Sequence, residues 1–261
     1  MLTIGRMELQ LEGRRAIVTG GSRGIGLAAA RVLAIEGARV AIVARGATAL
    51  NEAASALSAL VAAADIATDV TRAERDPRVI AVRADTGVDE SVAAMVARVA
   101  DAFGSVDILV NAAATPNRGG FDEEALEAEL NVKVRGYLRC ARAVAPLMAI
   151  GGWGRIVNVS GLAARQTGSI VGSVRNVAVA ALTKNLADEL GPSGINVTVV
   201  HPGPTITERV PPAGPEDVSI GRLVTAAEVA DVIAFLCSPR SVAINGDAIA
   251  VGGGARGAIH Y

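Results

Sequence analysis

Arg15-Ala-Ile-Val-Thr-Gly-Gly-Ser-Arg-Gly-Ile-Gly26 is the stretch from which the rest of the chain is read. Its first five residues form a short β-branched run, and glycines follow at once. Residues 22–36 then carry Ile25, Leu27, Ala28, Val32 and Leu33 at helical spacing, closed by Gly37. Gly20, Gly24 and Gly26 give the pattern G-x3-G-x-G between strand and helix. Such a turn needs positive φ, and missing Cβ atoms let the backbone approach a pyrophosphate. The helix N-terminus supplies N–H groups and a dipole that favours an anion. In this strand–turn–helix context the turn reads as a dinucleotide cradle, with Ser22, Arg23 and Ile25 inside it.

The same alternation continues along the chain. Further short apolar runs stand at 39–44, 79–83, 106–110, 155–159, 195–200 and near 248–251. Helical patterns separate them near 49–67, 88–103, 122–149, 168–190 and 225–237. Near-continuous apolar strands with a helix between each pair predict a parallel sheet covered on both faces, and right-handed crossovers make it doubly wound. The expected fold is α/β, a single-domain Rossmann-type sheet of about seven strands over residues 1–261. No linker-like composition divides the chain. Residues 69–77 are charged, end in proline and read as a surface excursion without an assigned role.

Composition narrows the function classes. With 261 residues and 51% hydrophobic content, the chain buries a core without staples and is not disordered. A formal charge of −1 argues against a nucleic-acid partner, and 2% aromatic content argues against a base-stacking surface. Cys140 and Cys237 sit in apolar helical patterns and read as buried, reduced thiols; their spacing does not suggest a metal site. The first eleven residues lack a signal-peptide core, and no uninterrupted apolar run reaches the ~18 residues of a membrane span. A cytoplasmic protein without a membrane partner is expected.

Several ordered motifs carry a resemblance. Thr19-Gly-x3-Gly-x-Gly26, Asn111-Ala-Ala-Ala114 after the fourth strand, Asn131-Val132 in the next helix, Pro202-Gly203 after the sixth strand and Gly252-Gly253-Gly254 resemble the short-chain dehydrogenase/reductase family over nearly the whole chain. The resemblance implies a seven-stranded single domain that binds NAD(H) or NADP(H). The residue closing the second strand meets the adenosine ribose, and a carboxylate there would repel a 2′-phosphate. This chain has Ala44 and Arg45 there, with Arg23 in the glycine turn, so NADP(H) is expected over NAD(H). Asp85-Thr86 resembles the family's adenine-contacting pair, and 69–71 imitates that signature without following a strand. Asn111, Pro202, Gly203, Thr205 and Thr207 complete the expected cofactor-binding set, the two threonines at the nicotinamide carboxamide. The segment 204–222, rich in proline and glycine, resembles a substrate loop.

The catalytic pattern breaks. The family's Tyr donates the hydroxyl proton, a Lys four residues later lowers that Tyr's pKa, a Ser orients the carbonyl, and an Asn anchors a relay water. Counting back eight residues from Lys184 places the family Lys at Asn176 and the Tyr at Gly172. The chain has two tyrosines, Tyr137 and Tyr261, and two lysines, Lys133 and Lys184, with no Tyr-x3-Lys anywhere. Tyr137 reads as core packing. Ser160 survives as the serine (Gly161 fits the spacing equally), and Asn131 survives as the water anchor. Asn176 can bond ribose hydroxyls but brings no charge. Arg175 is expected to face solvent or an adjoining subunit, and His201 reads as structural. Apolar residues on several faces of 122–149 and 168–190 predict a homotetramer, or a dimer. Three functions stay open: an NADP(H)-binding oxidoreductase with a degenerate catalytic centre, a nucleotide-binding scaffold that has lost catalysis, and a lyase or isomerase on the same fold. The small-molecule substrate is not named by the sequence.

Overall fold

The β-branched runs of the sequence become the strands of one parallel sheet. A computed structural model describes residues 8–67, 78–115, 123–208 and 214–256. In chain order the first half comprises β1 Arg15–Thr19, α1 Gly24–Ile35, β2 Arg39–Ala44, α2 Ala47–Ala67, β3 Val79–Arg83, α3 Asp89–Phe103 and β4 Ile108–Asn111. The second half comprises α4 Glu123–Glu129, α5 Gly136–Ile150, β5 Gly154–Val159, α6 Ile170–Leu190 and β6 Ile195–Pro202. Two short strands, β7 Thr205–Ile206 and β8 Val224–Thr225, then α7 Ala226–Leu236 and β9 Ala248–Val251, complete it. The main sheet has seven strands in the order β3-β2-β1-β4-β5-β6-β9, all parallel. The order reverses between β1 and β4, so a crevice opens beyond their C-terminal ends, where open α/β sheets bind ligands. The pairing of β7 with β8 was not legible in the sequence, since two-residue strands carry no period.

Alternate strand residues feed two cores. Ala16, Val18, Val40, Ile42, Ile108 and Val110 pack with Leu33, Leu57 and Ile233 on the α1–α2–α7 side. Ile17, Ala41, Val43, Leu109 and Ile156 pack with Met95, Val99, Val144 and Met148 on the α3–α5–α6 side. Burial on both faces is why these strands read as unbroken apolar runs. At the strand starts Arg15 grips Asp107 through Nε at 2.7 Å and NH2 at 2.6 Å, and the Arg15 backbone N–H adds a third bond at 2.9 Å. Helix α2 is long, and Ala47–Ala64 averages a mean hydropathy of 1.2, enough to span a bilayer by length and composition alone. Here Leu50, Ala53, Leu57 and Val61 form one buried stripe against the sheet.

The single helix expected at 122–149 is three segments. Between α4 and α5 lies a π-helical stretch, Leu130–Arg135, in which the Gly136 N–H donates to the Asn131 carbonyl five residues back. Such an insertion turns following side chains to new faces, and it commonly marks functional positions. Gly136 allows a close crossing: a Cβ there would lie 2.9 Å from the Thr86 carbonyl oxygen. The charged excursion at 69–77, Tyr261 and residues 209–213 of the loop lie outside the described residues.

Candidate functional site

The glycine turn forms the floor of a cleft of about 510 Å³ at the sheet's reversal point. Gly20 has φ +68 and Gly24 has φ +56, values that favour glycine. A Cβ on Gly20 would lie 2.6 Å from the Ala112 carbonyl oxygen, and one on Gly26 would overlap the Gly20 carbonyl. The turn therefore packs backbone on backbone, leaving the start of α1 open to the cleft. That helix start already attracts an anion: both carboxylate oxygens of Glu208 accept from the Gly24 N–H, at 3.0 and 3.3 Å. Gly20, Ser22, Arg23, Gly24, Ile25 and Gly26 all line the cleft. The residues fit a pyrophosphate, with Glu208 as its stand-in.

At one end stand Ala44, Arg45, Gly46 and Ala49, with Thr86 from the loop after β3. Arg23 and Arg45 are exposed, and no carboxylate closes β2. An adjoining recess is lined by Arg45, Arg83, Asp85 and Ser91. Arg83 donates through Nε to the Arg45 carbonyl at 3.0 Å, which adds a guanidinium that the sequence reading missed. Asp85 accepts from the Gly87 N–H at 2.8 Å, and the Asp85 N–H donates to Ser91 Oγ at 2.9 Å, so this loop is held by its own bonds.

At the other end Ser160 closes β5. Its hydroxyl donates to the Asn176 carbonyl at 3.1 Å, and its own carbonyl accepts from Lys133 Nζ at 2.9 Å. Lys133 is buried, yet it lines the cleft together with Ser160, Val159 and Ala112–Ala114. Burial and the nearby Arg175 push its pKa down to about 7, with Glu129 opposing. Glu129 and Arg175 are themselves a buried ion pair between α4 and α6. Arg175 thus turns inward, correcting the expectation that it faces solvent or another subunit; the physical reason is the buried carboxylate waiting on α4. Tyr137, one turn beyond Lys133, is a core residue as expected. Its hydroxyl lies 3.0 Å from the Val159 carbonyl and 3.2 Å from that of Ala113, and burial raises its pKa far above the usual phenol range.

Other expected site residues lie elsewhere. Asn131 does not line the cleft among the described residues: its Nδ2 donates to the Gly87 carbonyl at 3.3 Å, and its Oδ1 accepts from Arg139 at 3.0 Å. Its carbonyl accepts from both Gly136 and Arg139, leaving no lone pair for a relay water. The π-helical stretch is the cause, since it turns Lys133 instead of Asn131 toward Ser160. Asn111 is fully buried behind the cleft, donating to Asn158 at 3.0 Å; Asn158 donates in turn to Thr183. The cleft wall is the backbone of Ala112–Ala114. Gly172 lies in the first turn of α6, its N–H donating to Ser169, and Asn176 is buried one turn on, with Oδ1 lacking a hydrogen-bond partner among the described residues. Thr207 reaches the cleft, while Thr205 is buried and donates to the Gly203 carbonyl at 2.8 Å. Pro202 ends β6 and Gly203 follows it, and neither lines the cleft among the described residues. Cys140 and Cys237 are buried free thiols. No metal-binding cluster is found among the described residues.

Known proteins share this fold. The family profile described as enoyl-(acyl carrier protein) reductase matches residues 71–256, and that described as short chain dehydrogenase matches residues 14–80. The chain is 37% identical to a cis-4-hydroxycyclohexanecarboxylate dehydrogenase of Sinomonas cyclohexanicum, covering 92% of this chain and 96% of that one. It is 36% identical to the chloroplastic NADPH-dependent aldehyde reductase 2 of Arabidopsis thaliana, covering 94% and 95%. The crystal structure of L-sorbose reductase from Gluconobacter frateurii, complexed with NADPH and L-sorbose, superposes with a TM-score of 0.86 at 28% identity, covering 97% of this chain and 100% of that one. A profile match over most of the chain, relatives above 30% identity along nearly its full length and a seven-stranded sheet with a glycine turn at its reversal point lead to one conclusion: the chain belongs to the short-chain dehydrogenase/reductase family of oxidoreductases.

Proposed function

We propose that this chain is an NADP(H)-dependent oxidoreductase that interconverts a carbonyl and an alcohol on a small molecule, with a catalytic centre that departs from its family's pattern. The observation that carries this reading is the continuity of one cleft from Arg45, through the glycine turn, to Ser160. The N–H groups at the start of α1 would hold the pyrophosphate once Glu208 withdraws. Arg23 and Arg45 would hold the 2′-phosphate, and Asp85 and Thr86 the adenine. Thr207 would take the carboxamide. When bound, a reduced nicotinamide supplies a hydride to a carbonyl carbon. The Ser160 hydroxyl would orient the substrate's carbonyl oxygen once it turns from the Asn176 carbonyl, to which it donates here. Gly172 and Asn176 stand where the family's Tyr and Lys are expected, so neither a phenol nor an ammonium comes from α6.

The same reading makes the protein a cytoplasmic homotetramer. Two buried free thiols suit a reducing compartment. Ile170, Val174 and Val177 form an exposed stripe on α6, at 55%, 45% and 50% exposure, which a subunit contact would cover. The test is turnover. The purified protein is given NADPH or NADH with a panel of small ketones, aldehydes and secondary alcohols, and nicotinamide absorbance is followed. Turnover that prefers NADPH supports the reading. NADPH binding with no turnover on any member supports the nucleotide-binding scaffold instead, and equal use of both nucleotides overturns the preference.

A further inference from the structure

Two observations about the Ser160 end of the cleft have no place in the family's usual arrangement. A lysine amine sits inside it, and that amine is bonded to a single acceptor. Lys133 Nζ donates to the Ser160 carbonyl at 2.9 Å, and this is its one hydrogen bond among the described residues. An ammonium has three N–H donors, so two remain uncommitted in a buried position. Among the described residues, four side chains lining the cleft are ionisable: Arg23, Arg45, Lys133 and Glu208. The arginines hold their protons too tightly to give them up. Glu208 lies against the Gly24 N–H at the pyrophosphate end of the cleft, and none of its hydrogen bonds among the described residues reaches Ser160. The Tyr137 hydroxyl is spent on two backbone carbonyls. Gly172 and Asn176 carry no exchangeable acid. Among the described residues, Lys133 is left as the titratable group beside Ser160.

We infer that Lys133 is the proton-transferring residue of this site, giving a proton from Nζ to the substrate oxygen during reduction and taking it back during oxidation. This rests on the oxidoreductase reading above. In reduction an Nζ–H bond breaks and an O–H bond forms on the product alcohol. Carbon is reduced by a hydride from a reduced nicotinamide dinucleotide, which leaves oxidised, and the neutral amine regains its proton from water entering the cleft. The π-helical stretch makes this possible by aiming position 133 at Ser160 while Asn131 is bonded to Gly87 and Arg139. The charged groups facing Lys133 are Arg175 from α6 and Glu129 from α4, an ion pair of no net charge. Burial then dominates and brings the amine to about 7, where it gives and accepts a proton equally well.

The chain's two lysines make the test direct. Protein is labelled with carbon-13 at lysine Cε, and the two resonances are titrated with and without NADPH. Lys184 is exposed and paired with Asp188, so its environment is unlike that of the buried Lys133. The expected result is a second resonance that titrates near 7, vanishes in Lys133→Met and shifts when NADPH is bound. The rate of ketone reduction should fall along the same midpoint as pH rises, and alcohol oxidation should rise along it. Lys133→Met should lose about 10²–10⁴-fold in kcat while binding NADPH within about 3-fold of wild type. Lys133→Arg, which keeps the charge but does not titrate, should bind equally and fail to restore the pH profile. A Lys133 resonance that stays charged to about pH 9 overturns the inference. So does a Lys133→Met enzyme with wild-type kcat and profile. Wild-type protein that binds no nicotinamide nucleotide defeats the underlying reading instead, whatever the resonance does.

Discussion

Replacing Lys133 by methionine should change how the stability of this protein depends on pH. In the folded chain burial and Arg175 bring the Lys133 amine from 10.5 to about 7, and in the unfolded chain it keeps its ordinary value. The folded-state pKa is depressed, so the sign is opposite to that of a lysine gaining a partner. Below about 7 both states are protonated and the full cost of a buried ammonium weighs on the fold. Between the two values the unfolded chain binds more protons, and stability rises with pH at up to about 1.4 kcal/mol per unit. From about pH 6 to about pH 8.5 the gain integrates to about 2 kcal/mol. The window stops there because Cys140, raised to about 12, and Cys237, also raised, act in the reverse sense once unfolded thiols ionise near 9. Methionine keeps the length and apolar stem, and the lost bond to the Ser160 carbonyl costs the same at every pH. Urea unfolding followed by circular dichroism measures both proteins across the window. The stability of Lys133→Met minus that of wild type should shrink by about 2 kcal/mol from the acid end to the alkaline end. Parallel curves would refute the reasoning, because Lys133 would then hold the same charge in both states.

Glu208→Gln removes the carboxylate that occupies the start of α1, so calorimetry should show NADPH bound about 2–5-fold more tightly; unchanged affinity would mean that Glu208 does not compete. Val174→Asp with Val177→Asp places two charges on the exposed stripe of α6, and light scattering should find a smaller assembly than that of wild type, proposed above to be a tetramer. Gly172→Tyr with Asn176→Lys puts a phenol and an ammonium on the α6 face nearest Ser160. A Cβ at Gly172 meets Ser169 Oγ at 3.2 Å and Cβ at 3.3 Å, so that atom needs only a small shift of the serine. The double variant should go on reducing ketones above pH ~8, where the wild-type rate has fallen with the loss of the Lys133 proton; a profile like that of wild type would show that positions 172 and 176 do not face the reacting carbonyl.

What was legible in the sequence is what short-range chemistry dictates. The glycine turn could be read because G-x3-G-x-G after a β-branched run has few other uses, and the runs at 39–44, 79–83 and 248–251 coincide with β2, β3 and β9. The run at 106–110 became β4 from Ile108 to Asn111, although the Asp107 backbone still bonds Arg15 and Arg155 on either side. The catalytic end was not legible, because its geometry turns on one extra residue per turn inside an apparently continuous helix. That change of period is held by tertiary bonds, Asn131 to Gly87 and Arg139 to Asn131, which leave no trace in hydrophobic spacing. A cue existed: Lys133 is flanked by Val132 and Val134 and stands four residues before Tyr137, on the turn that the family resemblance places near the site. Glu129 and Arg175 could not be paired from the sequence, since 46 residues separate them. Glu208 lies in a proline- and glycine-rich segment where no period places a side chain.

The central claim is that the cleft from Arg45 to Ser160 takes NADP(H), and calorimetric titration of wild type and Arg45→Ala with NADPH and NADH tests it most directly. Arg45 lines the cleft mouth where no carboxylate closes β2, so its guanidinium should contribute a charge-assisted bond to the 2′-phosphate. Wild type should bind NADPH about 10-fold or more tightly than NADH. Arg45→Ala should lose about 5–150-fold toward NADPH, the equivalent of about 1–3 kcal/mol, while its affinity for NADH stays the same. Equal affinity of wild type for the two nucleotides, or an Arg45→Ala protein that binds NADPH as wild type does, would contradict the account.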